Sequence, residues 1–153
     1  AGEGHDHNLI SMMPSLTSLI ARETGPKAMA KAGIRHDDID LTMIYDSFTY
    51  TVMLTLESLG FCARGEAADF VANQRTAPGG DFPLNTAGGG LSYTHPGMYG
   101  SFLLVEAVRQ LRGEAGARQV HKKGTTDQNP QISLVNGTGG SLSSTGTVVL
   151  GTG

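Results

Sequence analysis

The chain has 153 residues, a formal net charge of −3 and a single cysteine, Cys62. A chain of this length normally forms one domain with its own core, and without a basic cluster we expect no nucleic-acid partner. No charged and apolar leader opens the sequence and no apolar run reaches the roughly 20 residues that span a bilayer, so we expect a cytoplasmic protein. One cysteine allows neither an internal disulfide nor a cysteine metal cluster.

The first 40 residues predict a loop and one short helix. Residues 1–14 lack periodicity. The segment His5–His7 has two histidines around an aspartate, but no third ligand follows at a helical spacing, so we expect a polar loop and no metal site. Thr24–Pro26 is typical of a helix N-cap followed by a first-turn proline, and Gly33 is typical of a C-cap. A polar turn over residues 34–40 then precedes a strand.

The next elements are a buried strand and a helix. Four residues, apolar except for one threonine, predict a strand over Leu41–Ile44. This strand delivers Tyr45 to the edge of a sheet. Asp46 or Ser47 is expected to cap the helix that follows, which ends at Gly60.

A glycine-rich connection occupies the middle of the chain. Residues 64–80 predict a short helix and a surface loop, and Asp81–Leu84 a short strand that feeds the connection Asn85–Gly100. Three consecutive glycines, Gly88–Gly90, weaken regular structure by about 1 kcal/mol each relative to alanine, so we expect them to approach a ligand closely or to adopt positive φ. His95 stands on a turn before a helix with one apolar face. That face comprises Phe102, Leu103, Val105, Ala107, Val108 and Leu111.

The last 40 residues predict a mobile loop and a hairpin. The stretch Glu114–Pro130 is polar, and we expect it to be an exposed excursion. Strands are predicted over Ile132–Val135 and Thr147–Leu150. The glycine turn between them favours an antiparallel hairpin.

The glycine-rich connection resembles a segment of the thiolase superfamily, in which Asn-x-x-Gly-Gly runs into Gly-His-Pro-x-Gly. The shared residues are Asn85, Gly88, Gly89, His95, Pro96, Gly97 and Gly100. The chain departs from the pattern at Thr94, which replaces a glycine, and at Met98 and Tyr99, which replace small residues. The resemblance implies an α/β fold, the layered C-terminal half of a duplicated βαβαβαββ subunit. Residues 1–153 would then be one domain of a longer chain whose N-terminal half lies outside this sequence.

Within the superfamily, the chain looks most similar to the steroid side-chain-cleaving aldolases of the lipid-transfer protein family. The resemblance rests on the segment Tyr45–Thr49, the segment Tyr93–Gly100 and Asn136, which stands where thiolases carry a second reactive cysteine. Such enzymes are aldolases that cleave β-hydroxyacyl-CoA thioesters to a ketone and a shorter acyl-CoA. The resemblance also implies an OB-fold partner protein and a homodimer formed through the thiolase core, with coenzyme A present only as part of the substrate and no tightly bound cofactor.

Retro-aldol cleavage needs a base for the β-hydroxyl proton, donors for the thioester enolate and an acid for the α-carbon. We assign these catalytic roles to Tyr45, Tyr93 and His95. A phenol with a pKa of about 10 is ready to act as an acid, whereas Tyr45 could act as a base only if a neighbour shifted that pKa. The expected substrate-binding residues are Tyr99, Gly89, Gly90, Asn136 and Gly137.

Two other classes of protein stay open. The first is an acyl-transferring thiolase, which would need a nucleophilic cysteine in the other half and a base other than Asn136. The second is a non-catalytic scaffold that keeps the fold to bind a partner. Cys62 is expected to be structural, and Asp46 is left outside the catalytic set because an aspartate after a strand is more often a helix cap.

Overall fold

The computed structural model describes residues 1–4 and 7–152. His5 and Asp6, and with them most of the histidine segment considered for metal binding, lie outside the described residues. Within those residues no three His, Cys, Asp or Glu side chains gather in a way that could hold a metal ion. No helix in this part of the chain is long and apolar enough to cross a membrane.

A four-stranded mixed sheet forms the centre of the fold. Its strands are β1 (Gly2–Gly4), β2 (Leu41–Ile44), β3 (Ile132–Gly139) and β4 (Ser144–Gly151). The spatial order is β1-β4-β3-β2, with β2 parallel to β3 and the other two pairs antiparallel. Three of the four strands that the sequence predicts are therefore confirmed as β2, β3 and β4, and so is the hairpin of β3 and β4.

Helices cover both faces of the sheet. They are α1 (Ala21–Ala32), α2 (Thr49–Leu59), α3 (Ala67–Val71), α4 (Gly89–Ser92) and α5 (Tyr99–Leu111). Alternate strand residues feed two separate cores: Ile44 packs with α1 and α2, whereas Leu41 and Met43 pack with α5. All four residues of β2 are buried for this reason, which confirms a layered α/β arrangement.

The start of α1 differs from the prediction. The helix begins at Ala21, so Thr24 is not its N-cap and Pro26 lies inside it, although Gly33 ends it at φ 69° as expected. Tertiary contacts explain the early start. The Thr24 hydroxyl is fully buried against that of Thr147, and Gly25 leaves room for Leu59 of α2.

Two predictions next to β2 are wrong. The predicted strand Asp81–Leu84 is reduced to one bridge between Leu84 and Thr42, because Pro83 has no N–H to donate to a ladder. Neither Asp46 nor Ser47 caps α2, whose N-cap is Phe48 without a side-chain hydrogen bond. The Asp46 carboxylate reaches across to the glycine-rich connection instead.

The buried face of α5 is rotated from the predicted one. Phe102 and Val105 are exposed, whereas Glu106 and Gln110 are buried with Leu103. The reason is a long-range ion pair that draws the polar side inward, described below.

Few regular elements occur between α5 and β3. A 3-10 turn at Gly116–Arg118 follows α5, and the backbone N–H of Lys123 donates to Asp40 over 2.8 Å. Further hydrogen bonds hold residues 118–120 and 122, and mobility of residues 114–130 stays a prediction.

Candidate functional site

The end of β2 positions Tyr45 between two neighbouring segments. The Asn85 side chain accepts the N–H of Ile44 over 2.9 Å and donates to its carbonyl over 2.8 Å. The N–H of Tyr45 donates to the carbonyl of Asn136 over 2.9 Å, which continues the pairing of β2 with β3. The phenol therefore stands at a fixed place at the carboxyl end of the parallel pair.

Tyr45 and His95 meet although 50 positions separate them in the sequence. The Tyr45 hydroxyl lies 2.6 Å from His95 Nδ1, and the rings are stacked with centroids 5.7 Å apart. Burial, and then the nearby Asp46, raises the pKa of the Tyr45 hydroxyl above its ordinary value. A phenol that keeps its proton donates to Nδ1, so the proton of the neutral imidazole sits on Nε2.

The glycine-rich connection wraps around the carboxylate of Asp46. The N–H of Gly90 donates to Oδ1 over 2.6 Å and that of Leu91 to Oδ2 over 3.1 Å. Gly88 and Gly89 have φ of 101° and 70°, and a side chain at Gly89 would overlap the Asp46 carboxylate. The expected close approach and positive φ are thus present, but the group that the glycines approach is a side chain of the chain itself.

Tyr93 and Tyr99 have opposite environments. Tyr93 is 70% exposed, whereas Tyr99 is 5% exposed and packs with Leu103 in the core beneath α5. The Tyr99 ring lies beside that of Tyr45, with centroids 5.9 Å apart. Burial, followed by Asp46 and Tyr93, raises the pKa of Tyr99. Tyr93 is the more accessible of the two phenols.

Asn136 and Gly137 are placed side by side but face different surroundings. The Asn136 amide is fully buried and donates to the hydroxyls of Thr145 and Thr147 over 3.1 and 2.8 Å. These bonds hold the side chain against β4, and the expected contact of Asn136 with substrate stays a prediction. Gly137 instead lines a groove of about 380 Å³ together with Gly97.

A polar cluster that the sequence reasoning missed supports the glycine-rich connection from α5. Glu106 accepts a two-pronged bond from Arg118, over 2.9 and 2.8 Å, and a bond from Thr86 over 2.8 Å. Gln110 donates to Glu106 and to the carbonyl of Arg118. Glu106 and Gln110 are four residues apart and therefore share one helix face, the face of Leu103. This spacing was the sequence signal for the polar cluster.

Cys62 lies outside this site. It is half-buried against the first core, and burial followed by Glu57 and Glu66 raises the pKa of its thiol. A thiol with a raised pKa is a poor nucleophile, which agrees with the expected structural role.

The fold and the site together define a thiolase-like α/β domain with a tyrosine–histidine pair at the end of its central parallel strands. The profile of the Thiolase C-terminal domain-like family matches residues 2–152. The chain belongs to this family.

Relatives within the superfamily include carbon–carbon lyases. Over 91 residues the chain is 47% identical to a steroid side-chain-cleaving aldolase of Thermomonospora curvata and 44% identical to a 17-hydroxy-3-oxo-4-pregnene-20-carboxyl-CoA lyase of Mycobacterium tuberculosis. Each match covers 58% of this chain and 22% of the relative. The chain is 32% identical to a solved Ltp2-ChsH2(DUF35) aldolase, with a TM-score of 0.77 and coverage of 98% of this chain and 38% of that one. The chain thus spans about a fifth of the length of the curated relatives that it matches.

Proposed function

We propose that this chain is the C-terminal catalytic part of an aldolase that cleaves a carbon–carbon bond of a β-hydroxyacyl-CoA by retro-aldol chemistry. The products are a ketone and a shorter acyl-CoA, and the substrate carries a steroid side chain. The observation that carries the proposal is the hydrogen bond between Tyr45 and His95 Nδ1, which joins two groups able to pass a proton. The names of the two lyase relatives support the choice of substrate.

Removal of the β-hydroxyl proton is the first role of the pair. The pKa of Tyr45 is raised, so its phenolate is not a ready base on its own. His95 Nδ1 resolves this difficulty, because the phenol oxygen can accept the β-hydroxyl proton while its own proton passes to the imidazole. The Cα–Cβ bond then breaks, and its electron pair moves toward the thioester as the ketone forms.

Stabilisation of the resulting enolate is the second role. With Nδ1 bound to Tyr45, the other ring nitrogen of His95 carries a proton and can donate to the thioester oxygen. Tyr93, which is exposed and lies two positions before His95 in the sequence, is the proposed acid for the α-carbon. The carbon–carbon bond electrons end in the new C–H bond, and the proton taken up by His95 returns through solvent to the exposed Tyr93, so these steps need no oxidant and no cofactor besides the coenzyme A of the substrate.

Gly89, Gly90, Tyr99 and Gly137 remain proposed substrate contacts. The N–H of Gly90 is already bound to Asp46, so we propose that Gly89 and Gly90 shape the cleft with their backbone rather than donate to substrate. Asn136 is proposed to support the floor of the site through its buried amide.

An acyl-transferring thiolase is less well supported. A Claisen base would have to replace the second cysteine, and Asn136 cannot accept a proton at neutral pH. Its burial also keeps it from a substrate carbon.

The whole protein is proposed to act in the cytoplasm as a homodimer, together with an OB-fold partner protein. The two-part name of the solved aldolase, Ltp2-ChsH2(DUF35), supports a partner.

A product assay with the full-length protein and its partner tests the function. We expect a steroid β-hydroxyacyl-CoA to be converted to equal amounts of ketone and shortened acyl-CoA without added free coenzyme A. Cleavage of acetoacetyl-CoA that consumes free coenzyme A would identify a thiolase instead. Binding of the partner without turnover of either substrate would identify a scaffold.

A further inference from the structure

The Asp46 carboxylate is the most confined charged group next to the proposed catalytic pair. It is 5% exposed, lies directly after Tyr45 and accepts two backbone N–H groups from the glycine-rich connection. Asp46 makes no cap at the start of α2, and its two bonds go to the glycine-rich connection instead. Its contacts therefore join the strand that carries Tyr45 to the segment that carries His95.

The glycines make this junction specific. Gly89 has positive φ and its Cα faces the carboxylate with no room for a side chain. A side chain at Gly90 would contact Asp46 Oδ1 at 3.2 Å and the Tyr45 ring at 3.6 Å. The carboxylate, the phenol ring and the glycine backbone are thus closely packed against one another. We therefore expect a shift of the carboxylate to move the backbone that precedes His95.

We propose that Asp46 is a positioning residue that sets the glycine-rich connection against the end of β2 and places its negative charge beside the phenol of Tyr45. The inference rests on the proposed function for its effect on rate, but its effect on the phenol can be measured without any turnover. A negative charge this close to the phenols opposes their ionisation.

The groups that face the phenol come from three elements. Asp46 follows Tyr45 at the end of β2, His95 lies on the turn before α5, and Tyr99 belongs to α5 itself. Burial and Asp46 both raise the pKa of Tyr45. Loss of the charge is therefore expected to lower that pKa.

Asp46→Asn in the full-length protein with its partner is the test, and Asp40→Asn is the matched control. Asp40 is also buried, at 7% exposure, and also accepts backbone N–H groups, from Lys123, Gln131 and Ile132, but it lies at the opposite end of β2. The measurements are kcat, KM and the midpoint of the Tyr45 phenol titration. Carbon NMR of ring-labelled tyrosine gives that midpoint, with Tyr45→Phe used to assign the signal.

For Asp46→Asn we expect kcat to fall by about 100-fold, as for a reacting group displaced by roughly 1 Å, while KM changes little. The Tyr45 midpoint should move to lower pH. Asp40→Asn should lower thermal stability but leave kcat and the midpoint at the values of the unmodified protein. Unchanged kcat and midpoint in Asp46→Asn would overturn the proposal, and so would a lower kcat with an unmoved midpoint, because that result leaves only a structural role.

Asp46→Glu covers the case in which Asp46→Asn fails to fold. It keeps the charge but lengthens the side chain by one methylene, so we expect a lower kcat with the midpoint in place. Full activity in Asp46→Glu would contradict the positioning role. If the unmodified protein cleaves no β-hydroxyacyl-CoA, the proposed function fails, whereas the midpoint comparison still decides whether Asp46 controls the phenol.

Discussion

At the scale of single residues, the site depends on where one proton resides. The Tyr45 hydroxyl and His95 Nδ1 are 2.6 Å apart, and burial raises the pKa of the phenol. In the proposed cycle the phenol begins with its proton, and His95 takes up the proton that Tyr45 relays. We therefore expect substitutions of the two residues to lower the rate of the proposed reaction in different ways.

Tyr45→Phe removes the hydroxyl and keeps the ring between His95 and Tyr99. We expect cleavage to slow by about 100-fold or more, as for a lost general acid or base. The free energy of unfolding should fall by no more than about 1 kcal/mol, the net value of one hydrogen bond. Steady-state rates and urea unfolding of the full-length protein check both expectations. Tyr50→Phe is the control, because Tyr50 is exposed and its hydroxyl bonds only to the Leu16 carbonyl in the described structure.

Full activity in Tyr45→Phe would refute its role and transfer the assignment to Tyr93. Tyr93 is well exposed and lies two positions before His95 in the sequence, whereas the Tyr99 ring is buried in the core beneath α5.

The role of His95 can be tested with one substitute that removes both ring nitrogens and one that places an amide near the position of Nε2. His95→Ala should lower kcat by about 100-fold to 1,000-fold, the usual effect of losing one donor to a developing oxyanion. His95→Gln extends an amide toward the position of Nε2 and should recover part of the rate if that nitrogen donates to the thioester oxygen. His121→Ala, at an exposed histidine away from this site, is the control. Equal rates for His95→Gln and His95→Ala would contradict the donor role.

At the scale of secondary structure, α5 shows what the sequence could and could not predict. The existence of α5 and of the strands β2, β3 and β4 could be predicted from apolar runs. A buried strand or helix leaves such a pattern of apolar residues in the local sequence. Which side of α5 is buried does not follow, since Phe102 and Val105 look more apolar than Glu106 and Gln110. The ion pair of Glu106 with Arg118, 12 positions further on, decides the rotation, and no local pattern contains that contact.

The candidate site could likewise be predicted only in part from the sequence. The resemblance to thiolases predicted that Tyr45 and His95 belong together, although the chain brings them together across 50 positions. The hydrogen bonds of Asp46 to the glycine-rich connection and the burial of the Asn136 amide were not predicted. Both depend on where backbone N–H groups and hydroxyls that are distant in the sequence lie.

Glu106→Gln tests the polar cluster beneath α5. The carboxylate is 4% exposed, and although burial alone would raise its pKa, bonds from Arg118, Thr86 and Gln110 hold that pKa below the ordinary 4.5. We expect the free energy of unfolding to fall by about 2 kcal/mol at pH 7, the order of hydrogen bonds to a charged group. Because the folded pKa is lowered, this stability is present above pH 4.5 and is lost as pH falls through the folded pKa.

The difference between Glu106→Gln and the unmodified protein should therefore shrink in acid. Urea unfolding at several pH values measures it, and Glu114→Gln, at an exposed glutamate just beyond α5, is the control. A difference that does not depend on pH would contradict the pKa argument.

At the scale of the whole molecule, α5 has an exposed apolar side that the chain itself does not cover. Phe102 is 57% and Val105 52% exposed, and Met98 and Leu91 are exposed on neighbouring segments. Contiguous apolar surface of this kind usually marks a contact with other protein. The curated relatives are about five times as long as the region that matches them, so we expect additional chain to lie against this side in a protein of their length.

Phe102→Ser measures that contact by comparing two proteins. In the isolated chain, where Phe102 is largely in water, the free energy of unfolding should change by no more than about 0.5 kcal/mol, as for an ordinary surface substitution. In a protein of the relatives' length it should fall by about 2 kcal/mol, the cost of exposing a buried phenylalanine. Urea unfolding followed by circular dichroism gives the first value, and calorimetry of the longer protein gives the second. Hydrogen exchange of α5 supplies a readout that does not depend on reversible unfolding, because amides of a covered helix exchange more slowly. Equal effects of the substitution in both proteins, with equal exchange of α5, would mean that this side of the helix stays exposed in the longer protein and that its apolar residues serve another contact.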